Sequence, residues 1–184
     1  QRFDDGKIHC VYAGTFDPTK GGGSAAAATA AFLPENYHVH ILGFGTEQQK
    51  KDLIEQIKKI QKTCKCTLTY GGLKSGEEYI CFLQKCQIGL CTQIPDAKYT
   101  ETSFPSKILV YMANGLRVLS PRIKAVEESG VGDLVYYYEN QTSECIANSI
   151  REIDFSQPYD SRTRLQKLDK QFAFGLQNLL KGQG

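Results

Sequence analysis

Ser103-Phe104-Pro105-Ser106-Lys107-Ile108-Leu109-Val110-Tyr111-Met112-Ala113-Asn114-Gly115-Leu116-Arg117-Val118 joins a loop, a helix start and a strand in one block. Pro105 suits the first turn of a helix, where a missing N–H costs nothing, and the Phe/Ile/Leu/Tyr/Met spacing around it is helical. Asn114-Gly115 stops that helix, and Leu116-Arg117-Val118-Leu119 reads as a buried strand. The first turn therefore presents free N–H groups, the Ser106 hydroxyl and the Lys107 ammonium to whatever anion lies above a sheet.

The rest of the chain repeats that unit. Short apolar runs rich in β-branched and aromatic residues alternate with longer segments of helical spacing, the pattern of a parallel sheet flanked by helices. The predicted strands are 8–12, 38–42, 67–70, 88–91, 117–119 and 134–138; the predicted helices are 22–32, 47–63, 76–85, 106–114, 143–152 and 162–181. The expected fold class is α/β, a Rossmann-like three-layer sandwich with a mainly parallel six-stranded sheet. Leu53, Ile54, Ile57 and Ile60 share one face of the second helix, and its lysines read as a solvated face rather than a binding patch. The run Ala25 to Ala28 suits a helix packed tightly on a sheet, though an exposed neutral helix has the same composition. Tyr136-Tyr137-Tyr138 reads as core and rim packing at a strand end.

At 184 residues and 41 % apolar, the chain has enough material for one generous domain with a real core. A formal charge of +2 implies no broad basic surface, so no nucleic-acid partner is expected, while a small anionic ligand remains open. Seven scattered cysteines, an odd number with several inside apolar runs, suggest reduced thiols and a cytoplasmic location. Cys64-Lys65-Cys66 has the wrong spacing for a zinc knuckle or a redox pair, and only three histidines exist to help, so no metal is expected. No run approaches the roughly 18 apolar residues of a membrane span, and the start shows no signal peptide.

Strands of this arrangement put their carboxyl ends on one edge, where ligands bind, and the loops of that edge carry the candidate residues. Gly14-Thr15-Phe16-Asp17-Pro18-Thr19-Lys20-Gly21-Gly22-Gly23 is a glycine-rich turn ending at a helix start. It reads as a phosphate loop in which the Lys20 ammonium neutralises charge, against the alternative of a flexible connection that needs no ligand. It lacks the Walker A spacing, and Gly43-Phe44-Gly45 continues to no third glycine, which argues against a simple triphosphatase or a dehydrogenase. Gly71-Gly72-Leu73 offers close backbone to a nucleobase edge or is a plain tight turn.

The order of Gly14-Thr15-Phe16-Asp17-Pro18-x-Lys20-Gly21, His40-Ile41-Leu42-Gly43-Phe44-Gly45, Tyr70-Gly71-Gly72-Leu73 and Phe104-Pro105-Ser106-Lys107 through Tyr111-Met112-Ala113-Asn114-Gly115-x-x-Val118 resembles the carboxyl-terminal half of a GT-B glycosyltransferase, specifically the family four or "group 1" retaining enzymes. The resemblance spans essentially the whole chain, and its most specific part is the Phe-Pro-Ser-Lys block. It implies the second of two Rossmann-like domains, the one that holds a nucleotide-diphosphate sugar. Gly14, Thr15, Lys20, Ser106 and Lys107 then fall at the donor phosphates, Gly72, Leu73 and Val110 at the base and ribose, and Glu101, Thr102, Ser103, Phe104 and Pro105 at the sugar. Family members usually carry an arginine where Thr15 stands and glutamates where Thr102 and Val110 stand; Val110 accepts no hydrogen bond from a ribose hydroxyl, and Glu101 is the neighbour placed to replace the first acid.

The resemblance further implies that residues 1–6 are a linker remnant, 7–160 the nucleotide-sugar-binding domain, and 161–184 a helix that crosses to a missing N-terminal acceptor domain. That domain is the expected protein partner, and any membrane contact, peripheral at the inner face, would come through it alone. The expected activity is sugar transfer from a nucleotide-diphosphate donor, UDP favoured, in surface polysaccharide synthesis, with no cofactor and little turnover by this chain alone. A non-catalytic nucleotide-sugar-binding or regulatory module is the alternative, and an epimerase is less compatible because no acid pair is visible to move a proton.

Overall fold

The computed structural model describes residues 2–94 and 104–181, with backbone alone at 175, 176 and 178–181. Six strands, β1 (Ile8–Thr15), β2 (Tyr37–Phe44), β3 (Thr67–Gly72), β4 (Ile88–Leu90), β5 (Arg117–Pro121) and β6 (Val135–Tyr138), form one sheet in the order β3-β2-β1-β4-β5-β6. Every pairing is parallel, so each strand is followed by a crossover, and the α/β Rossmann-like reading holds. The helices are α1 (Gly22–Thr29, continued by a 3-10 turn Ala30–Phe32), α2 (Glu47–Gln61), α3 (Gly76–Lys85), α4 (Ser106–Ala113), α5 (Lys124–Glu127), α6 (Ser143–Arg151) and α7 (Ser161–Lys181).

Alternation along β1 shows how the layers close. Cys10 and Tyr12 enter one core with Ala26, Ala27 and Ala30 of the first helical segment, Leu53 and Ile57 of α2 and Ile146 and Ile150 of α6. Val11 and Ala13 enter the other with Leu83 of α3, Ile108, Tyr111 and Met112 of α4, and Val126 of α5. The alanine run is thus a packed helix, its buried members allowing close approach to the sheet. Thr46 caps α2 with a full capping box, its hydroxyl accepting the Gln49 N–H while the Gln49 side chain accepts the Thr46 N–H. Arg117, buried in β5, donates to the Gln157 carbonyl at 2.6 Å and the Tyr136 hydroxyl at 3.0 Å between the rings of Phe155 and Tyr159.

The differences from expectation are local. β1 runs three residues past its expected end because Ala13, Gly14 and Thr15 continue to pair with Leu42, Gly43 and Phe44. Gly43 has φ 145°, and a Cβ there would overlap the Gly14 carbonyl, so the two glycines let β1 and β2 stay paired to their ends. α5 was not expected, since four residues are too few to show a helical period. Pro105 precedes α4 rather than opening it: its ψ of 111° is extended, and the helix starts at Ser106. In α7, Leu165 and Leu168 pack on the second core, Phe172 is 72 % exposed and Leu176 lies outside the described side chains. Ser161 donates to the Met112 carbonyl and Arg162 to that of Asn114, which seats α7 on the end of α4. Among the described residues no helix is long and apolar enough to cross a membrane.

Tyr111 ties the second helical layer to the sheet. Its ring lies flat on Gly89 of β4, where an added Cβ would overlap it, and its hydroxyl accepts the Ala13 N–H at 2.9 Å. Tyr111→Phe strands that buried donor and is expected to cost about 1–3 kcal/mol, seen in urea denaturation as a lower midpoint at unchanged slope.

Candidate functional site

The strand order brings β1 and β4 side by side at the point where the connections reverse direction, and the crevice between their carboxyl ends is where such sheets take ligands. On the β1 side Asp17 shapes the loop. Its carboxylate accepts the Thr19 N–H at 2.9 Å and hydroxyl at 2.7 Å, while its carbonyl accepts the N–H groups of Lys20 and Gly21. These bonds, the Thr19 hydroxyl foremost, hold the Asp17 carboxyl below its ordinary value. Gly21 then adopts φ 63° and α1 begins with no side chain on its first N–H groups. On the β4 side the Thr92 hydroxyl donates to the Gly22 carbonyl at 2.8 Å and the Ile94 N–H to that of Lys20 at 2.9 Å, joining the two walls.

Between the walls lies the Lys107 ammonium. It sits 4.2 Å from the centre of the Tyr12 ring, is buried, and has no hydrogen-bond acceptor among the described residues. Burial pulls its pKa down, and the charge of Lys20 adds to that. Burial likewise pushes the Tyr12 hydroxyl and the Cys91 thiol up to about 12, so neither supplies a counter-anion at neutral pH. An ammonium whose three N–H donors are met by water in solution has here one aromatic face, worth about 2 kcal/mol when desolvated and less than the solvation lost. Gly14 makes the space: a Cβ there would overlap Lys107 Nζ. α4, like α1, starts without a side-chain cap, leaving the N–H groups of Ser106 and Lys107 directed at the crevice mouth.

The site residues expected from sequence fall into three groups. Gly14 and Lys107 meet, with Thr15 half-buried at the end of β1 and Lys20 and Ser106 exposed on opposite walls. Gly72, at φ 69°, and the exposed Leu73 end β3, two strands from β1, about 10 Å across the sheet. Val110 is partly exposed on the α4 face it shares with Ser106, while Phe104 leans on the second core beside the half-buried Pro105. Glu101, Thr102 and Ser103 lie outside the described residues. Sequence reasoning missed Tyr12, whose place in an apolar strand hid its role as the floor beneath Lys107; its position two residues before the glycine was the available signal. The far side of the loop, a cleft lined by Phe16, Asp17, Pro18, Gln49, Asp52 and Gln56, carries carboxylates and is the wrong surface for an anion.

No protein-family model matches the chain, and no curated protein does. Its structure is similar to those of sucrose-phosphate synthase from Thermosynechococcus elongatus (TM-score 0.70, 16 % identity, 96 % of this chain and 45 % of that one) and HepE from Anabaena in complex with UDP and glucose (TM-score 0.67, 17 % identity, 94 % and 49 %). The C-terminal domain of LpcC, a glycosyl transferase group 1 family protein from Francisella tularensis, superposes with a TM-score of 0.65 at 18 % identity, covering 88 % of this chain and 86 % of that one. The fold is therefore that of one Rossmann-like half of a GT-B glycosyltransferase. The chain spans about half the length of HepE and of sucrose-phosphate synthase.

Lys107→Met replaces an unpaired buried cation by an apolar chain of similar length. It is expected to raise the stability of the ligand-free protein by about 1–3 kcal/mol. Because the folded-state pKa of Lys107 lies below the unfolded value of 10.5, the unfolded chain binds the proton more tightly and the wild type gains stability as pH rises toward 10.5. The advantage of the variant should accordingly shrink between neutral and alkaline pH in thermal melts.

Proposed function

We propose that this chain is the donor-nucleotide half of a glycosyltransferase that moves a sugar from a nucleotide-diphosphate donor, UDP favoured, to an acceptor hydroxyl with retention of anomeric configuration. The observation that carries the reading is Lys107: a buried ammonium without an acceptor among the described residues, beside Gly14 at the end of β1, in a crevice where α1 and α4 both start without a side-chain cap. Such an arrangement is unfavourable until an anion arrives, and a diphosphate meets Lys107, Lys20 and both sets of N–H groups at once. The UDP in the HepE complex favours uracil as the base, with Gly72 and Leu73 as its bracket.

The chemistry follows from charge. When the anomeric C–O bond breaks, its electron pair stays on the β-phosphate oxygen, and the departing diphosphate gains negative charge. Lys20, Lys107 and the helix N–H groups interact more strongly with that product-like state than with the bound donor, which lowers the barrier without requiring a metal. The proton leaves the acceptor hydroxyl, whose binding surface and positioning groups belong to an N-terminal domain of the same protein. This chain alone is then a donor binder with little or no turnover. Surface polysaccharide assembly is the proposed setting, in the cytoplasm, where the seven unpaired cysteines would stay reduced; membrane contact runs through the other domain.

The second reading, a nucleotide-sugar-binding module without catalysis, is favoured by Val110, an apolar residue on the α4 face toward which a ribose hydroxyl would need an acceptor. Calorimetric titration with UDP, GDP and ADP tests the shared premise. One nucleotide should bind, with at least a tenfold loss in Lys20→Ala and in Lys107→Met, since each removes a charge-assisted contact of about 1.5–3 kcal/mol. Equal affinity in wild type and both variants would overturn the site. Restoring an acceptor with Val110→Glu separates the two readings: tighter UDP binding supports a ribose contact that this chain has dispensed with.

A further inference from the structure

At the amino ends of the strands, on the edge opposite the crevice, the fold gathers all three histidines of the chain. His9 of β1 pairs in register with His38 of β2, His40 follows two residues on, and all three share the sheet face covered by α3. One ring nitrogen from each lies within 4.8 Å of the others, the one such group of three among the described residues. His9 and His40 are almost fully buried, with Phe3 stacked on His9 at 4.2 Å and Phe82 edge-on to His40 at 5.1 Å, while His38 is half-exposed.

Hydrogen bonding fixes what each ring presents. The Asp5 carboxylate, 2.8 Å from His9 Nε2, requires that nitrogen to carry a proton, and in the neutral ring Nδ1 then holds the lone pair. That lone pair faces His40 Nε2 at 2.8 Å. The Thr69 hydroxyl oxygen lies 3.0 Å from His40 Nδ1 and 3.1 Å from His38 Nε2, the outer nitrogens of those rings. Every imidazole thus has one nitrogen held by an oxygen, and on His9 and His40 the other nitrogens meet inside the cluster.

We propose that His9, His38 and His40 form a binding site for a divalent transition-metal ion of the zinc class, ligated through His9 Nδ1, His40 Nε2 and His38 Nδ1. Three clustered imidazoles and an open fourth position suit zinc, and oxygen acceptors on the outer N–H groups are the supporting arrangement that orients histidine ligands. To admit the ion, the His40 proton moves from Nε2 to Nδ1 and is accepted by Thr69 Oγ1, which also accepts the His38 Nε2–H; its own hydroxyl proton turns outward. No net proton is gained or lost. The His9–His40 nitrogens must part from 2.8 Å to about 3.3 Å, the spacing of two ligands on a tetrahedral zinc, and His38 must turn out of its 3.8 Å stack on His40, which its half-exposed position permits. The ion would tie Asp5 and the first two strands together and take no part in chemistry at the far edge.

Metal-free protein titrated with Zn2+ should bind one equivalent at micromolar concentration or below and melt at higher temperature with the ion. His38→Gln, at the half-exposed ligand and therefore compatible with folding, should weaken binding at least tenfold. Thr69→Val, which keeps all three rings but removes the outer acceptor, should weaken it about 10–100-fold. Cys64→Ser with Cys66→Ser should leave it unchanged. No saturable binding, or binding insensitive to His38→Gln and lost with the two cysteines, would overturn the assignment.

Discussion

Tyr111 packs its ring on the bare backbone of Gly89 and takes the Ala13 N–H on its hydroxyl, so one side chain of α4 grips β4 and β1 together. β4 pairs with β1 at Cys10 and Val11, and beyond them the Ala13 N–H goes to Tyr111. Tyr111 and the Thr92–Gly22 and Ile94–Lys20 hydrogen bonds together join the two sides of the crevice. Tyr111 also sets the height of α4 above the sheet, which places the first turn of that helix, one turn earlier than Tyr111, over the crevice mouth. Gly89 is the residue that permits the grip, since any side chain there would lift the helix.

The electrostatics of the crevice depend on that placement. Lys107 is carried inward by α4 until its ammonium rests on Tyr12 beside Gly14, buried and without an acceptor among the described residues. A fold selected for stability alone would fill this space with methionine or leucine; retaining a buried unpaired cation is the kind of stored strain found where a ligand completes the structure. Lys20 lies outside, exposed, so its charge is solvated and carries no comparable standing cost. Carboxylates are kept to the other side of the loop, at Asp17 and Asp52.

The two edges of the sheet use polar groups differently. At the carboxyl edge the Lys107 ammonium and the first N–H groups of α1 and α4 have no side-chain partner among the described residues. At the amino edge, Asp5, His9, His40, Thr69 and His38 satisfy one another in a single directional chain, roofed by Phe3 and Phe82. Both are buried polar arrangements inside an otherwise apolar sheet, and both rest on β1, which contributes Tyr12 and Gly14 to one and His9 to the other.

The sequence by itself determined the alternation of strand and helix, because six buried parallel strands must read as short apolar runs and their crossovers as amphipathic or small-residue helices. It also drew attention to Gly14, Lys20, Ser106 and Lys107, as glycines and a helix start next to lysines at one sheet edge. The extra residues of β1 were illegible because Ala13-Gly14-Thr15 resembles loop until Gly43 is laid against it. Only the tertiary structure distinguished Lys107 from Lys20, one sealed on a tyrosine ring and the other in water, since burial of an ammonium depends on which strand its helix crosses. The tertiary structure alone, again, joined His9 to His38 and His40, separated by 29 positions of chain and brought into register by strand pairing, where no local spacing announces them.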